Sequence, residues 1–361
     1  MQSHHPVQFG KGYYFSTHLL TESGKPVIRG IATKKRQSTL AGNASGNPDY
    51  MAQSILLDTS IHVQDYLVNF YQNESHLSQL NLNKQQQHIV DIETHENINY
   101  AVIDLDQFSL QLTASRESST EFLWTKLINQ DNEKFGHIGF HNGRIQIFSK
   151  QAILIRGEQN CIHTLAINTL SPVLIKDILS IEHSINIRCL SLLADNAMPL
   201  HAEKIKILCL GDFTTSHQNH FDTEKCEIRA GSISHHGQIR ATRSVNLIAE
   251  TVNITGFISA KGKKGISIVS LGLQTETKSH LHASTIKLLT GSPVKQENTQ
   301  PDFIGKTNLY GKLSSKGLSI IAGELLFDKG EILIEGRVTL ATVHKTKITE
   351  SATFHFNGKL F

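Results

Sequence analysis

A six-residue pattern recurs about every 20 residues in the C-terminal part of the chain, and this repeat constrains the fold more than any other feature. In each copy the second and fourth residues are apolar and the sixth is small. The copies begin at Arg144, Thr164, Ser184, Lys204, Lys225, Ser244, Gly265, Thr285, Gly317 and Arg337. Successive copies start 19 to 21 residues apart, except for one interval of 32 between Thr285 and Gly317. Self-similarity at a fixed period is typical of solenoid proteins.

The apolar places of the repeat form two columns, because residues two apart on a strand point to the same face. The first column is Ile145, Leu165, Ile185, Ile205, Cys226, Val245, Ile266, Ile286, Leu318 and Val338. The second is Ile147, Ile167, Ile187, Ile207, Ile228, Leu247, Ile268, Leu288, Ile320 and Leu340. Side chains of this kind, stacked about 4.8 Å apart, fill a narrow core.

A period of about 20 residues accommodates roughly three short strands and three bends, whereas helical solenoids need 33 residues or more per repeat. The sequence therefore predicts an all-β fold, a right-handed single-stranded parallel β-helix of about ten coils. Turn glycines precede the later alternating strands, at Gly237, Gly256 and Gly330. Since glycine adopts positive φ at little cost, we expect bends with positive φ there.

Two segments, residues 226–241 and 246–260, resemble the repeats of bacterial filamentous-haemagglutinin-type adhesins. Those repeats carry the pattern Leu-x-Ala-x-x-Ile-x-Asn-x-Gly-x-Ile-x-Ala on a right-handed β-helix. The resemblance extends over about residues 144–345 and implies a bacterial, adhesin-like, exported protein. Neither a Sec signal peptide nor the family's Asn-Pro-rich secretion domain is visible in the sequence. We therefore expect secretion or translocation without a Sec signal, with the bacterial cytoplasm as the alternative.

The repeat divides the chain into three predicted regions. Residues 1–88, rich in glycine and proline at the start, are expected to be irregular or partly helical. Residues 89–143 contain alternating runs and are expected to form a strand-rich cap or early irregular coils. Residues 144–361 form the β-helix, with an insertion loop around 293–312 that accounts for the long interval. The apolar residues Phe354, Phe356, Leu360 and Phe361 are expected to cover the last coil.

Bulk composition excludes several classes of protein. With 35 Lys and Arg against 32 Asp and Glu, the net charge is +3, which does not indicate a nucleic-acid partner. No apolar run approaches the roughly 20 residues of a membrane span. Four cysteines without a CxxC pair favour buried reduced thiols. Cys189 and Cys209 occupy the same place in successive coils, where stacked thiols are favoured over a disulfide.

Candidate binding residues come from the outward third place of each copy and from the insertion. Only Glu227 is acidic among the third places, and Lys206 and Arg229 lie beside it, which favours a surface salt bridge over a catalytic pair. The third places are Gln146, Ala166, Asn186, Lys206, Glu227, Asn246, Ser267, Lys287, Ser319 and Thr339. The insertion adds Lys295, Asp302 and Tyr310. No catalytic residue is predicted.

Histidine is frequent, with 20 residues, but its spacing matches no known metal-ligand set. The late-coil histidines are predicted to be exposed in loops: His217, His220, His235, His236, His280 and His282. Glycine-rich phosphate-binding motifs are also absent from the sequence. We therefore predict neither a metal nor a cofactor.

These observations predict a non-enzymatic bacterial β-helix binding protein that presents a repetitive surface to a host macromolecule, a glycan or a protein. Three alternatives stay open: an effector translocated into a host cell, a glycan-cleaving β-helix enzyme, and a bactofilin-like structural polymer. The oligomeric state is not determined by the sequence.

Overall fold

The structure is a computed structural model that describes residues 7–9, 13–15, 87–117, 122–157, 162–178, 180–294 and 302–356. Strand accounts for 69% of it and helix for 5%, and the strands wind into a parallel β-solenoid of about 10 turns. The predicted all-β class and the β-helix architecture are therefore confirmed. Most of the predicted N-terminal region, together with Cys161, Lys295, Leu360 and Phe361, lies outside the described residues.

The chain divides into two compact units. The N-terminal unit contains residues 66–228 and 236–240, and the C-terminal unit contains residues 1–65, 229–235 and 241–361. At the start of the chain, β1 (Val7–Phe9) and β2 (Tyr13–Phe15) form an antiparallel pair.

The N-terminal unit begins with strands that pair mostly antiparallel. Its first elements are β3 (Gln87–Ile89), β4 (Ile92–His95), β5 (Ile98–Asp104), the 3-10 helix η1 (Leu105–Phe108), α1 (Ser109–Glu117), β6 (Leu123–Ile128), β7 (Lys134–His141) and β8 (Arg144–Ser149). The strands β6, β7 and β8 form an antiparallel meander. Because β7 pairs with β8, the strand of the first repeat copy has no open edge on that side. No described helix is long and apolar enough to cross a membrane.

Parallel coils follow in the same unit. Their strands are β9 (Ile153–Gly157), β10 (Thr164–Thr169), β11 (Val173–Ile178), β12 (Ser184–Cys189), β13 (Leu192–Ala194), β14 (Pro199–Cys209), β15 (Asp212–Thr215) and β16 (His220–Arg229). The register follows the repeat, because Ile147, Ile167, Ile187 and Ile207 are aligned partners on β8, β10, β12 and β14. All four are at most 1% exposed. The inner column of the sequence is therefore the core of this unit.

The C-terminal unit continues with strands of uneven length. They are β17 (Ser232–His235), β18 (Gln238–Ile248), β19 (Thr251–Ile254), β20 (Phe257–Ala260), β21 (Gly265–Ser270), β22 (Gly272–Thr275), β23 (His280–Thr290), β24 (Ser292–Val294), β25 (Asp302–Ile304), β26 (Lys306–Leu309), β27 (Lys312–Phe327), β28 (Glu331–Ile348) and β29 (Thr353–Phe356). The aligned residues Leu247, Ile268, Leu288 and Ile320 form its inner column.

The long interval of the repeat does not disturb this register. Thr285 on β23 pairs directly with Gly317 on β27, so the additional residues leave the coil between these strands. There β24 and β25 form an antiparallel pair on either side of residues 295–301.

The explanation predicted for the turn glycines is wrong. Of Gly237, Gly256 and Gly330, none has positive φ. A Cβ at Gly237 would overlap the Asn219 carbonyl oxygen, and one at Gly330 would lie 2.5 Å from the Gly311 carbonyl oxygen. At these two positions glycine is required by the close approach of successive coils rather than by backbone conformation.

The small sixth place of the repeat is a buried corner at which successive coils stack. Cys189 and Cys209 are aligned partners with their Sγ atoms 3.5 Å apart, and both thiols are free. Burial raises the pKa of Cys189 well above its usual value. Both thiols are therefore buried packing groups, and Cys189 is held in the protonated form.

Candidate binding groove

A groove with a volume of about 930 Å³ lies on the C-terminal unit. Its lining residues are Ala260, Lys261, His282, Ala283, Ser284, Ser314, Ser315, Lys316, Leu333, Ile334, Glu335, Phe354 and His355. The volume is within the range of ligand sites in proteins, and the lining combines apolar residues with polar groups.

Strand register brings the lining residues together. β20, β23, β27, β28 and β29 pair in parallel in this order. One row of aligned residues consists of Ala260, Ala283, Ser315 and Ile334, and the neighbouring row consists of His282, Ser314, Leu333 and His355. Four spacings of about 4.8 Å give the groove a length of about 19 Å. It is therefore long enough for an extended ligand.

A histidine and serine cluster lies along the side of the groove. Ser314 Oγ is 2.7 Å from His282 Nδ1 and 3.0 Å from His280 Nε2. Burial lowers the pKa of His280, and the nearby His282 and Lys312 lower it further. A neutral imidazole at His280 has one N–H donor and one acceptor, so His280 contributes hydrogen bonds rather than charge to this cluster.

Charge in the groove comes mainly from two lysines. Lys261 and Lys316 are exposed and belong to its lining, whereas Glu335 is the one carboxylate among the residues described there. Ser284 Oγ donates to the Lys261 carbonyl oxygen at 2.8 Å, which ties the lysine backbone to the next coil. Phe354 is 37% exposed and adds an apolar ring at one end.

The described lining contains a single carboxylate. Glycoside hydrolases use two carboxyl groups about 5 to 10 Å apart on either side of the scissile bond. Glu335 has no second carboxylate beside it in the described lining. The groove can therefore supply hydrogen bonds, two positive charges and an apolar contact, which are the elements of a polar binding site.

Five of the six binding residues predicted from the sequence lie elsewhere, and the sixth, Lys295, is outside the described residues. Lys206 and Glu227 are half-buried on the paired strands β14 and β16 of the N-terminal unit. Arg229 is a half-buried residue of the C-terminal unit at the end of β16. Asp302 begins β25, and Tyr310 follows β26, where its backbone N–H donates to Thr275 Oγ1 at 3.1 Å. None of them lines the groove.

The prediction of exposed loop histidines is wrong for four residues. His220 is half-buried at the start of β16. His235 is fully buried, with its Nε2 3.3 Å from the Phe257 carbonyl oxygen. His280 and His282 lie on β23, not in a loop. The signal for the groove in the sequence lies outside the six-residue pattern, at His282, Ser314 and His355, which align in one row across the strands.

One group of described side chains in the N-terminal unit has ligating atoms close enough to hold a metal ion: His163, Glu182 and His183. The sequence-based prediction of no metal overlooked this group because His163 is 20 residues from His183. Residues one coil apart become neighbours only when the chain is wound.

Comparisons with protein-family models, with curated proteins and with solved structures give no match to this chain. The parallel β-solenoid is therefore established by the structure itself. The resemblance of the repeats to haemagglutinin-type adhesins stays a prediction.

Proposed function

We propose that this chain is a non-enzymatic, adhesin-like β-helix protein that holds an extended acidic glycan in the groove of its C-terminal unit. The observation that carries the proposal is the groove itself, which runs across five paired strands and includes two lysines. An adhesin-like role includes export from a bacterium, which is part of the proposal.

The shape of the groove favours a linear polymer. Its floor contains small side chains, Ala260 and Ala283, so a ligand can approach the strands closely. His282 and Ser314 are aligned on neighbouring strands along the wall, and His355 lies two strands beyond Ser314, so the wall offers imidazole and hydroxyl groups in one row. A chain with repeated hydroxyl groups can satisfy several of these at once.

The charges favour an acidic ligand over a neutral one. The lining contains two ammonium groups and one carboxylate, so the groove has a net positive charge. Electrostatic complementarity of this kind sets specificity and the rate of association more than affinity. An acidic sugar provides both carboxylates for Lys261 and Lys316 and hydroxyls for the serine and histidine row.

The proposal is tested by measuring binding of the purified chain to polygalacturonate, to neutral dextran and to poly-glutamate. We expect binding to polygalacturonate alone, weakened about tenfold by the double substitution Lys261→Ala/Lys316→Ala, since each exposed ion pair contributes up to about 1 kcal/mol. Lys287→Ala is the matched control, because Lys287 is exposed on β23 but does not line the groove.

Three outcomes would contradict the proposal. Equal loss in the Lys287→Ala control would show that the groove lysines have no special role. Binding of poly-glutamate without binding of polygalacturonate would indicate a peptide ligand. Release of reducing ends or unsaturated products from the polysaccharide would show that the protein is an enzyme.

A further inference from the structure

Histidine and carboxylate side chains are stacked along one corner of the N-terminal unit. His163 and His183 precede β10 and β12 and occupy the same place in successive coils, since the His183 N–H donates to the His163 carbonyl oxygen at 2.9 Å. Their rings lie 5.6 Å apart, centroid to centroid. A Cβ at Gly143, one coil earlier, would overlap the His163 ring, so glycine leaves room for this imidazole.

Carboxylates approach these imidazoles from the neighbouring positions. Glu182 Oε2 lies 3.3 Å from His163 Nδ1, and Glu203 Oε2 lies 3.5 Å from His183 Nδ1. The ligating atoms of His163, Glu182 and His183 all lie within 4.8 Å of one another. With metal–ligand distances of 2.0 to 2.2 Å, two ligands of a tetrahedral zinc ion are separated by about 3.4 Å. The distance from His163 Nδ1 to Glu182 Oε2 is close to this value, and the partly exposed side chains leave room for His183 to approach.

We propose that His163, Glu182 and His183 form a binding site for a divalent transition-metal ion such as Zn²⁺. Two imidazoles and one carboxylate are ligands that zinc accepts, with a fourth position open to water. Imidazole ligands disfavour Mg²⁺ and Ca²⁺, which prefer oxygen. The site is independent of the groove, which belongs to the other unit.

Glu203 acts as a positioning residue for this site. Its carboxylate faces His183 Nδ1, so Nε2 is the nitrogen that His183 presents to the metal. Carboxylates that accept the second N–H of a ligating histidine orient the ring, and their loss typically weakens metal binding 10- to 100-fold.

A neighbouring pair provides a matched control. His201 Nδ1 lies 3.5 Å from Asp222 Oδ2, with exposure similar to that of His183. No third ligating side chain among the described residues completes a group there. His201→Ala therefore removes a histidine and carboxylate pair of the same kind without touching the proposed site.

The test is a Zn²⁺ titration of the full chain, stripped with EDTA, by isothermal calorimetry, together with the visible absorption of the Co²⁺-loaded protein. We expect the wild type and His201→Ala to bind one equivalent more than His163→Ala/His183→Ala, and to show a Co²⁺ spectrum that this double variant lacks. Glu203→Gln is expected to retain the stoichiometry and weaken binding about tenfold.

Circular dichroism confirms that each variant is folded before titration. The same stoichiometry and affinity in the wild type and in His163→Ala/His183→Ala would overturn the proposal. An equal loss in His201→Ala would also overturn it, because binding would then follow the number of surface histidines and not this arrangement.

Discussion

The two units of the solenoid have equivalent interiors and different surfaces. Inside, aliphatic residues such as Ile187 in the N-terminal unit and Ile268 in the C-terminal unit occupy the same place in the repeat and are each 1% exposed. Outside, the N-terminal unit has stacked histidine and carboxylate pairs, whereas the C-terminal unit has a groove with two lysines. The repeat thus specifies the residues that point inward and leaves the outward positions to differ.

Some corners of the coils use the same hydrogen-bonding arrangement in both units. Thr215 Oγ1 accepts backbone N–H groups from His236 and Gly237 at 2.9 and 3.2 Å. Thr275 Oγ1 does the same in the other unit, accepting from the backbone of Tyr310 at 3.1 Å. A buried hydroxyl that satisfies backbone donors of the next coil stabilises the bend, because an unpaired buried donor would be unfavourable.

The largest expected effect tests whether the two interiors are equivalent. Ile187→Ala and Ile268→Ala should each lower the free energy of unfolding by about 2–5 kcal/mol, since each leaves a cavity in a closely packed column. Urea unfolding followed by circular dichroism measures the change, and Ser267→Ala, at an outward place, should stay within about 0.5 kcal/mol of wild type. A substantial effect of only one isoleucine substitution would show that the interiors are not equivalent.

A titrating group in the antiparallel region of the N-terminal unit should make the stability of the protein depend on pH. His137 on β7 is buried, and this burial, with Lys134 and Lys126 nearby, lowers its pKa from 6.5 to about 4. The unfolded chain therefore binds the proton more tightly, and the stability that is present above pH 6.5 is lost as the pH falls towards 4. The loss amounts to about 3 kcal/mol.

This pH dependence is measured by urea unfolding of the wild type and of His137→Phe between pH 7 and pH 4. The variant should show the smaller decrease in stability over this range. Parallel profiles for the two proteins would contradict the assignment of the lowered pKa to His137.

The smallest expected effect comes from alanine substitution of one glycine in each unit. Gly237→Ala should lower the free energy of unfolding by about 1–3 kcal/mol, because the new Cβ would overlap the Asn219 carbonyl oxygen and lie 2.7 Å from that of Ser216. Gly272→Ala is the control, since its Cβ would lie 3.8 Å from Thr251 Cγ2 in ordinary contact. Similar melting temperatures for both variants would show that the close approach at Gly237 relaxes easily.

Much of the fold was predictable because the repeat can be read from short stretches of sequence. Its period fixes which residues of successive coils lie side by side. The pairing of Ile145 with Leu165 and of Cys189 with Cys209 follows directly from the 20-residue spacing. The antiparallel meander of β6, β7 and β8 was not predictable, because alternating runs do not show which strand pairs with which. The groove was not predictable for a related reason, since its lining residues lie outside the six-residue pattern, although several are on strands that contain a copy of it.

By itself, the sequence determined the two inward columns, the small buried corners and hence a solenoid of strands, because the burial of aliphatic side chains repeats with the chain. The tertiary structure decided which outward side chains meet. Coils of uneven length and the pair formed by β24 and β25 shift residues along the chain without shifting the inner register. The neighbours of Lys316 can therefore be known only once the coils are stacked.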